Sequence, residues 1–271
     1  MNCVERWKKI VTAIALGTAS FVTHGSPDSG AAGEADLAQK INNPVANLIS
    51  VPGQNNWDFG IGPANAMRYT GNIQPVIPVS ISQDWNLIIR TIVPVIYAES
   101  PIPHGPRVSG VDDISQSLFF SPKEPIGGWI LGGGPAFLWP TASDRALGAG
   151  AWGAGPTLVV LRQQDGWTYG ALANHVWSYA GWGTQNVSAT YIQPFVSYST
   201  KTFTSFGFNT ESTYDWVQGQ WTVPLNASIS QILKMGKQPL QLSVGARYYA
   251  EKPNGGPDWG LRFTITLLFP K

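Results

Sequence analysis

Charged side chains are scarce in this sequence of 271 residues. Lys, Arg, Asp and Glu together make up 12 % of it, about half of the roughly 25 % that is usual for soluble domains. The net charge is only +1, so no basic excess indicates a nucleic-acid partner. Mean hydropathy is close to neutral, at −0.04. Few charges and average hydropathy are typical of a transmembrane β-barrel, in which each strand has one apolar and one polar face.

Cysteine and long apolar runs are nearly absent. The one cysteine, Cys3, lies at the start of the chain, so the sequence predicts no disulfide in the exported protein. No stretch of about 20 apolar residues follows residue 25, which excludes membrane-spanning helices from that part. No cluster of His, Cys and carboxylates suggests a metal. We therefore expect neither a metal nor a cofactor.

Residues 1–25 resemble a secretory signal peptide. Arg6, Lys8 and Lys9 form its positive region, and residues 10–22 form an apolar region too short to span a membrane as a helix. Cleavage after Gly25 or near residues 30–32 fits the small residues there. The sequence thus predicts export, and with strands throughout it predicts the outer membrane of a Gram-negative bacterium.

Residues 26–45 form a segment of small and polar residues before the first predicted strand. Residues 36–41 can form about two helical turns, which Pro44 should end. Two interpretations remain open: a periplasmic linker, or a short plug that lies in the mouth of a barrel.

Strict alternation of apolar and polar residues is clearest in the last strand, residues 259–269. A period of two indicates a β-strand with one apolar face. The same pattern recurs along residues 46–271. Strands are predicted near residues 46–60, 70–82, 85–98, 110–122, 126–141, 151–163, 166–180, 187–199, 202–215, 218–233, 237–251 and 257–269.

About twelve strands, an even number, predict an all-β fold: a closed antiparallel transmembrane β-barrel, preceded by a short N-terminal helical segment. Connections after the even strands are mostly tight turns and those after the odd strands are mostly longer, which fits periplasmic and extracellular ends. Proline cannot donate to a strand ladder. We therefore expect bulges or kinks at the prolines inside the strands: Pro75, Pro78, Pro94, Pro135, Pro156, Pro194 and Pro224.

Aromatic residues recur in pairs on the apolar faces. Ten to twelve residues separate the two members of a pair, which projects to about 25–30 Å for a tilted strand and matches the apolar band of the outer membrane. The predicted membrane-interface aromatics are Trp85, Tyr97, Trp129, Trp139, Trp167, Trp177, Trp259 and Phe269. This spacing predicts contact with outer-membrane lipid and lipopolysaccharide, after insertion by the barrel assembly machinery.

The opposite, polar faces are predicted to line the lumen, because a charge facing mid-bilayer lipid costs about 2–4 kcal/mol. The predicted lumen and solute-lining residues are Arg90, Asn209, Glu211, Arg247, Tyr249 and Arg262. They form either an ion-pair network that braces a narrow barrel or a selectivity ring and solute site. Arg247 and Arg262 need a nearby acid, which we predict to be Glu211 or Glu251.

Neither the glycine motif at residues 148–153 nor His175 indicates an activity. Residues 148–153 match the G-x-G-x-x-G pattern, but a strand follows instead of the helix that a nucleotide site needs. His175 invites comparison with outer-membrane hydrolases, one of which is a twelve-stranded phospholipase. Catalysis requires a serine within reach, and Ser178 lies on the opposite face of the strand. His175 is therefore interpreted as an interfacial aromatic.

The sequence also resembles a family of outer-membrane transporters linked by name to the meta-pathway of phenol degradation and often mislabelled neuromedin U. The resemblance covers about residues 40–271. It is carried by residues 54–60 (QNNWDFG), 72–75 (NIQP), 84–91 (DWNLIIRT), 121–123 (SPK), 153–156 (GAGP), 209–216 (NTESTYDW) and 245–249 (GARYY). It implies an outer-membrane barrel that passes small, aromatic or hydrophobic compounds, and it transfers no established site.

These observations together predict a passive channel or transporter for small solutes with a polar lumen, and not an enzyme. The alternatives are a closed structural or adhesion barrel whose loops bind a partner and, less favoured by the residues, an outer-membrane hydrolase.

Overall fold

The computed structural model of the protein describes residue 37 and residues 39–183, 186–236 and 238–270. The predicted signal peptide and residues 26–36 lie outside this range. A short helical segment includes residues 39–41, and a turn at residue 42 follows it before Pro44. Among the described residues, no helix has the length and apolar character needed to cross a membrane.

Within the described part of the chain, fifteen strand segments form one antiparallel sheet. They are β1 (Ile49–Ile61), β2 (Ala66–Ile73), β3 (Val76–Ser80), β4 (Trp85–Ala98), β5 (Val108–Val111), β6 (Ile114–Pro122), β7 (Ile130–Trp139), β8 (Ala151–Gln164), β9 (Trp167–Gly181), β10 (Ser188–Ser199), β11 (Thr204–Thr210), β12 (Ser212–Asp215), β13 (Gln220–Met235), β14 (Gln238–Glu251) and β15 (Trp259–Phe269).

The sheet closes on itself because its last strand pairs with its first. β15 runs antiparallel to β1 over eleven residue pairs, from Ile49 opposite Phe269 to Phe59 opposite Trp259. Segments β2 and β3 share the neighbours β1 and β4, and segments β11 and β12 share β10 and β13. Segments β5 and β6 both pair with β4. Each of these three pairs therefore acts as one interrupted strand. The result is a closed twelve-stranded antiparallel barrel, which confirms the predicted fold class.

The two ends of the barrel differ in their connections. The start of β1, the end of β15 and turns such as residues 165–166 and 200–203 lie at one end, called here the short-turn end. The connections at the opposite, long-loop end include residues 99–107 and 140–150, although residues 62–65 and 216–219 are short there too.

Prolines disturb the barrel less than the sequence suggests. The register shifts beside Pro224, between β13 and β14. It also shifts opposite Pro94, where β5 gives way to β6. Pro75 interrupts the strand without changing its register. Pro78, Pro135, Pro156 and Pro194 lie in continuous registers, so no bulge accompanies these four prolines. Each strand residue donates to only one neighbour, and a proline removes a single ladder bond.

The outward faces are apolar. Along β14 and β15, exposed outward residues such as Val244, Leu261 and Ile265 alternate with inward ones such as Gln241 and Thr266. Of the predicted interface aromatics, Tyr97 and Trp139 are half-buried and the other six are exposed. They lie near both ends of the barrel, where several stack on neighbours: Phe59 on Trp259 at 4.6 Å and Trp139 on Trp152 at 5.2 Å between ring centroids.

Candidate functional site

The lumen near the short-turn end is filled by apolar side chains. Ile88, Phe119, Leu161 and Leu172 are at most 2 % exposed and pack around Val45, which precedes β1. They come from four different strands, β4, β6, β8 and β9, so they can meet only inside the barrel. The expectation of a polar lumen is therefore wrong for this half. This half of the lumen is apolar because these inward side chains pack against one another and against the residues before β1.

Residues 39–48, called here the N-terminal segment, lie within the barrel opening at the short-turn end. The side-chain amide of Asn42 donates to Ser199 Oγ at 3.1 Å, and that of Gln163 donates to the carbonyl of Gln39 at 2.6 Å. A Cβ on Gly132 would meet Val45 Cγ1 at 3.3 Å, so the glycine leaves room for this valine. These contacts hold residues 39–48 at the barrel opening, whereas most of the predicted linker or plug segment, residues 26–36, lies outside the described residues.

A second apolar contact explains an irregularity in the last strand. Leu268 is an apolar residue on the otherwise polar face of β15, and it is fully buried. It packs against Ala46 and Leu48, with Leu37 and Ile41 alongside. The inward face of β15 is thus apolar only at the level where it meets the N-terminal segment.

A charged cluster lies further from the short-turn end. Glu211 accepts two hydrogen bonds from the guanidinium of Arg262, at 2.9 and 2.7 Å. Arg262 Nε also donates to Asn56 Oδ1 at 2.7 Å. Glu211 occupies the interruption between β11 and β12, 51 residues from Arg262 in sequence. This bidentate geometry is the strongest form of the arginine–carboxylate contact.

Arg247 joins the same cluster from β14. Its guanidinium lies 3.3 Å from Asp58 and 3.8 Å from Glu211. Its Nε donates to Asn226 Oδ1 at 3.2 Å, and its Cζ lies 5.3 Å from the centre of the Tyr249 ring. The arginine and both carboxylates are largely buried, so the attraction between them is only weakly screened.

The remaining predicted lumen residues lie around this cluster. Asn209 accepts a hydrogen bond from Asn226 at 2.8 Å. Arg90 on β4 donates to Gln74 Oε1 at 3.2 Å. Glu251, the alternative acid, is exposed and instead accepts a hydrogen bond from Gln220. The structure thus brings Glu211, and not Glu251, to the two arginines.

Three polar residues of this site were not predicted from the sequence. Asn56 and Asp58 in β1 are 2 % and 3 % exposed, and Gln74 is 8 % exposed. The alternation of Asn56 and Asp58 with the outward aromatics Trp57 and Phe59 could have identified these two residues as inward-facing. The polar run at residues 54–56 obscured it, because Asn55 faces outward and bonds the hydroxyl of Tyr69.

A cavity of about 290 Å³ lies between the N-terminal segment and the charged cluster. Arg90, Arg262, Asn209, Asn226 and Gln193 are among its polar lining residues. Inward glycines, Gly207 in β11 and Gly245 in β14, line it as well and leave the space open. The cavity thus joins the charged cluster to the apolar half of the lumen.

His175 has a hydroxyl neighbour on the adjacent strand, which the sequence of its own strand does not reveal. Its Nδ1 lies 2.7 Å from Thr190 Oγ1 on β10, and the Trp216 indole also donates to that oxygen. A catalytic histidine needs a third group to orient its other nitrogen. Nε2 of His175 is buried and has no hydrogen-bond partner in the described part of the chain. The geometry therefore gives no support to a hydrolase.

Comparisons with known proteins point to the same architecture. No protein-family model matches the sequence, and no curated protein matches it. Among solved structures, an outer-membrane channel from Pseudomonas putida F1 aligns with a TM-score of 0.64 and 14 % identity, over 82 % of this chain and 94 % of that one. The NanC porin aligns with a TM-score of 0.51 and 10 % identity, over 82 % and 100 %.

At these identities the comparisons show a shared fold. The fold is that of an outer-membrane β-barrel, which agrees with the closed sheet and its outward apolar band. Because no family model matches, the resemblance to the phenol-pathway transporters stays a prediction, and these structures lend no support to its link with phenol.

Proposed function

We propose that the protein is a channel of the outer membrane for small solutes. The observation that carries the proposal is a closed barrel whose outside is apolar between two sets of aromatics and whose inside holds a charged, partly hollow lumen. A packed soluble barrel would reverse this arrangement, with its apolar side chains facing inward along every strand. The similarity in fold to a channel and a porin agrees with it.

The same outward face supports the proposed location. Its apolar band would contact outer-membrane lipid, and its aromatics would lie at the two interfaces, one of them beside lipopolysaccharide. A barrel of this kind would be exported by the predicted signal peptide and inserted by the barrel assembly machinery.

A charge on the outward face tests the membrane location. Ile265 lies near the middle of β15 and is 40 % exposed. Replacing it with arginine should destabilise the barrel in lipid by about 2–4 kcal/mol, because the guanidinium would face the bilayer midplane. Urea unfolding of protein reconstituted in lipid vesicles measures the change.

Tyr248→Arg is the matched control, because Tyr248 pairs with Trp259 in the register near the long-loop end. An arginine near the interface should cost only about 0–1 kcal/mol. Equal costs at both positions would contradict a membrane band across β15.

Planar lipid bilayers test the channel itself. The purified mature chain should produce discrete conductance steps, small because the N-terminal segment occupies one end of the lumen. Heat-unfolded protein in the same detergent serves as the control. If neither the mature chain nor a chain lacking residues 26–46 gives steps, the closed structural or adhesion barrel becomes the better proposal.

The lumen restricts the solute to small molecules. The cavity of about 290 Å³ is at the lower limit of small-molecule pockets, which start at about 300 Å³. Its walls combine guanidinium and amide groups with apolar side chains. Compounds with both a polar and an apolar part, aromatic ones included, suit such a lining better than ions or sugars alone.

A further inference from the structure

We propose that the lumen cavity binds a small organic carboxylate, with Arg90 holding the carboxylate and Val76 and Phe195 contacting the apolar part. This inference names a solute class for the proposed channel and rests on that function for its role in transport. Binding itself is a separate property of the cavity and can be measured without transport.

Arg90 differs from the other lumen arginines in its partners. Arg247 and Arg262 are each paired with a carboxylate. Arg90 donates to the neutral amide of Gln74 and forms no ion pair with any carboxylate in the described residues. Its guanidinium lines the cavity. An arginine in this position retains donors in a fixed planar arrangement that matches a carboxylate.

The charge balance of the lumen also favours an anion. Among the described residues, three arginines, Arg90, Arg247 and Arg262, face two carboxylates, Asp58 and Glu211, and Lys40 adds a further positive charge to the cavity lining. A positive charge without a counterion is costly in a partly buried site. A bound monocarboxylate would supply a charged partner for Arg90.

One of the two apolar residues, Val76, lies directly beside Arg90. Val76 on β3 is its cross-strand partner, so both side chains project from adjacent positions on the inner face. Val76 and Phe195 both line the cavity, and both pack against the apolar cluster around Val45. The cavity therefore has a cationic group next to an apolar surface, which suits a carboxylate with a compact apolar body.

A buried hydroxyl supports a polar occupant in the same cavity. Ser197 lies two residues after Phe195 on β10, and it also lines the cavity. Its Oγ is buried and has no hydrogen-bond partner among the described residues. Buried polar groups are almost always hydrogen-bonded, so this oxygen is available to a bound molecule.

Isothermal titration calorimetry of the folded mature chain in detergent tests the inference, with benzoate as the anionic probe and benzamide as its neutral counterpart. Benzoate should bind at least about tenfold more tightly than benzamide, because a charge-assisted bidentate contact is lost in the amide. Arg90→Gln should remove that preference, and Arg90→Lys should retain part of it. Arg145→Gln, which changes an exposed arginine in the connection between β7 and β8, should leave it unchanged.

Three results would overturn the proposal: no benzoate binding, equal binding of benzoate and benzamide, or unchanged benzoate affinity in Arg90→Gln. Heat-dependent electrophoretic migration confirms that each variant is folded, and Arg90→Lys serves as the test if Arg90→Gln is not. Binding without any conductance would leave the carboxylate site in place and count against the channel. Conductance without benzoate binding would support the channel and overturn the carboxylate site.

Discussion

Deleting residues 37–46 is expected to raise the single-channel conductance several-fold. These residues include Val45, which fills the centre of the apolar layer in the lumen, and Ala46, which packs on Leu268. Without them, water and ions gain access between the inward side chains of β4, β6, β8 and β9. Planar-bilayer recordings of the deleted and unmodified chains, at the same voltage and salt concentration, measure the difference.

A reversible cross-link separates a movable plug from a fixed one. The mature chain is predicted to hold no cysteine, so a pair introduced at Asn42 and Ser199 reacts without competition. The two side chains are neighbours, because Asn42 Nδ2 donates a hydrogen bond of 3.1 Å to Ser199 Oγ. If the N-terminal segment moves during opening, the oxidised Asn42→Cys/Ser199→Cys variant should conduct less than the unmodified protein, and dithiothreitol should restore conduction. The single variant Asn42→Cys should not respond to dithiothreitol.

Two outcomes would count against this role. Unchanged conductance after the deletion would show that the segment does not obstruct the lumen. Equal conductance of the oxidised and reduced double variants, with a strong effect of the deletion, would describe a segment that narrows the pore permanently and does not gate it.

Replacing Glu211 by glutamine is expected to destabilise the barrel by about 3–5 kcal/mol, the usual cost of removing one partner of a buried ion pair. Glu211 accepts both bonds from Arg262 and lies 3.8 Å from Arg247. Without it, Arg247 would keep its ion pair with Asp58, and the largely buried guanidinium of Arg262 would have no ion pair among the described residues. Unfolding in urea, or the temperature at which the folded band disappears on electrophoresis, measures the loss.

Two further variants make this test specific. Glu251→Gln is the matched control, because Glu251 is exposed and such changes usually alter stability by less than about 0.5 kcal/mol. The double variant Glu211→Gln/Arg262→Met should recover part of the loss, because it removes the unpaired charge together with its partner. If Glu211→Gln keeps full stability and instead alters the anion-to-cation selectivity, the cluster acts as a selectivity ring and not as a brace.

Much of the architecture follows from local patterns in the sequence. The interruptions of the sheet at Pro75 and Glu211 did not hide the strands, because the alternation of inward and outward residues continues through both. The inward placement of Arg247 and Arg262 also followed from the alternation along β14 and β15, since a charge cannot face lipid at mid-height.

The residues that fill the lumen were harder to predict from the sequence. Inward Phe119, Val159 and Leu161 lie in Gly-rich or mixed strands where both faces carry apolar residues, so a period of two does not identify the inner face. Asp58 was missed because neighbouring polar residues in β1 face both ways. The hydroxyl partner of His175 is Thr190 on β10, and the sequence of β9 alone does not indicate it.

The sequence by itself determined that this chain forms about twelve antiparallel strands with an apolar outer face and aromatic ends. That information is local, because each strand residue points inward or outward according to its position in a period of two. Tertiary structure alone decided that Glu211 meets Arg262, that Arg90 has no carboxylate partner among the described residues, and that Val45 lies in the lumen. Those contacts depend on the stagger between strands and on the closing of β1 against β15, which bring together residues far apart in the chain.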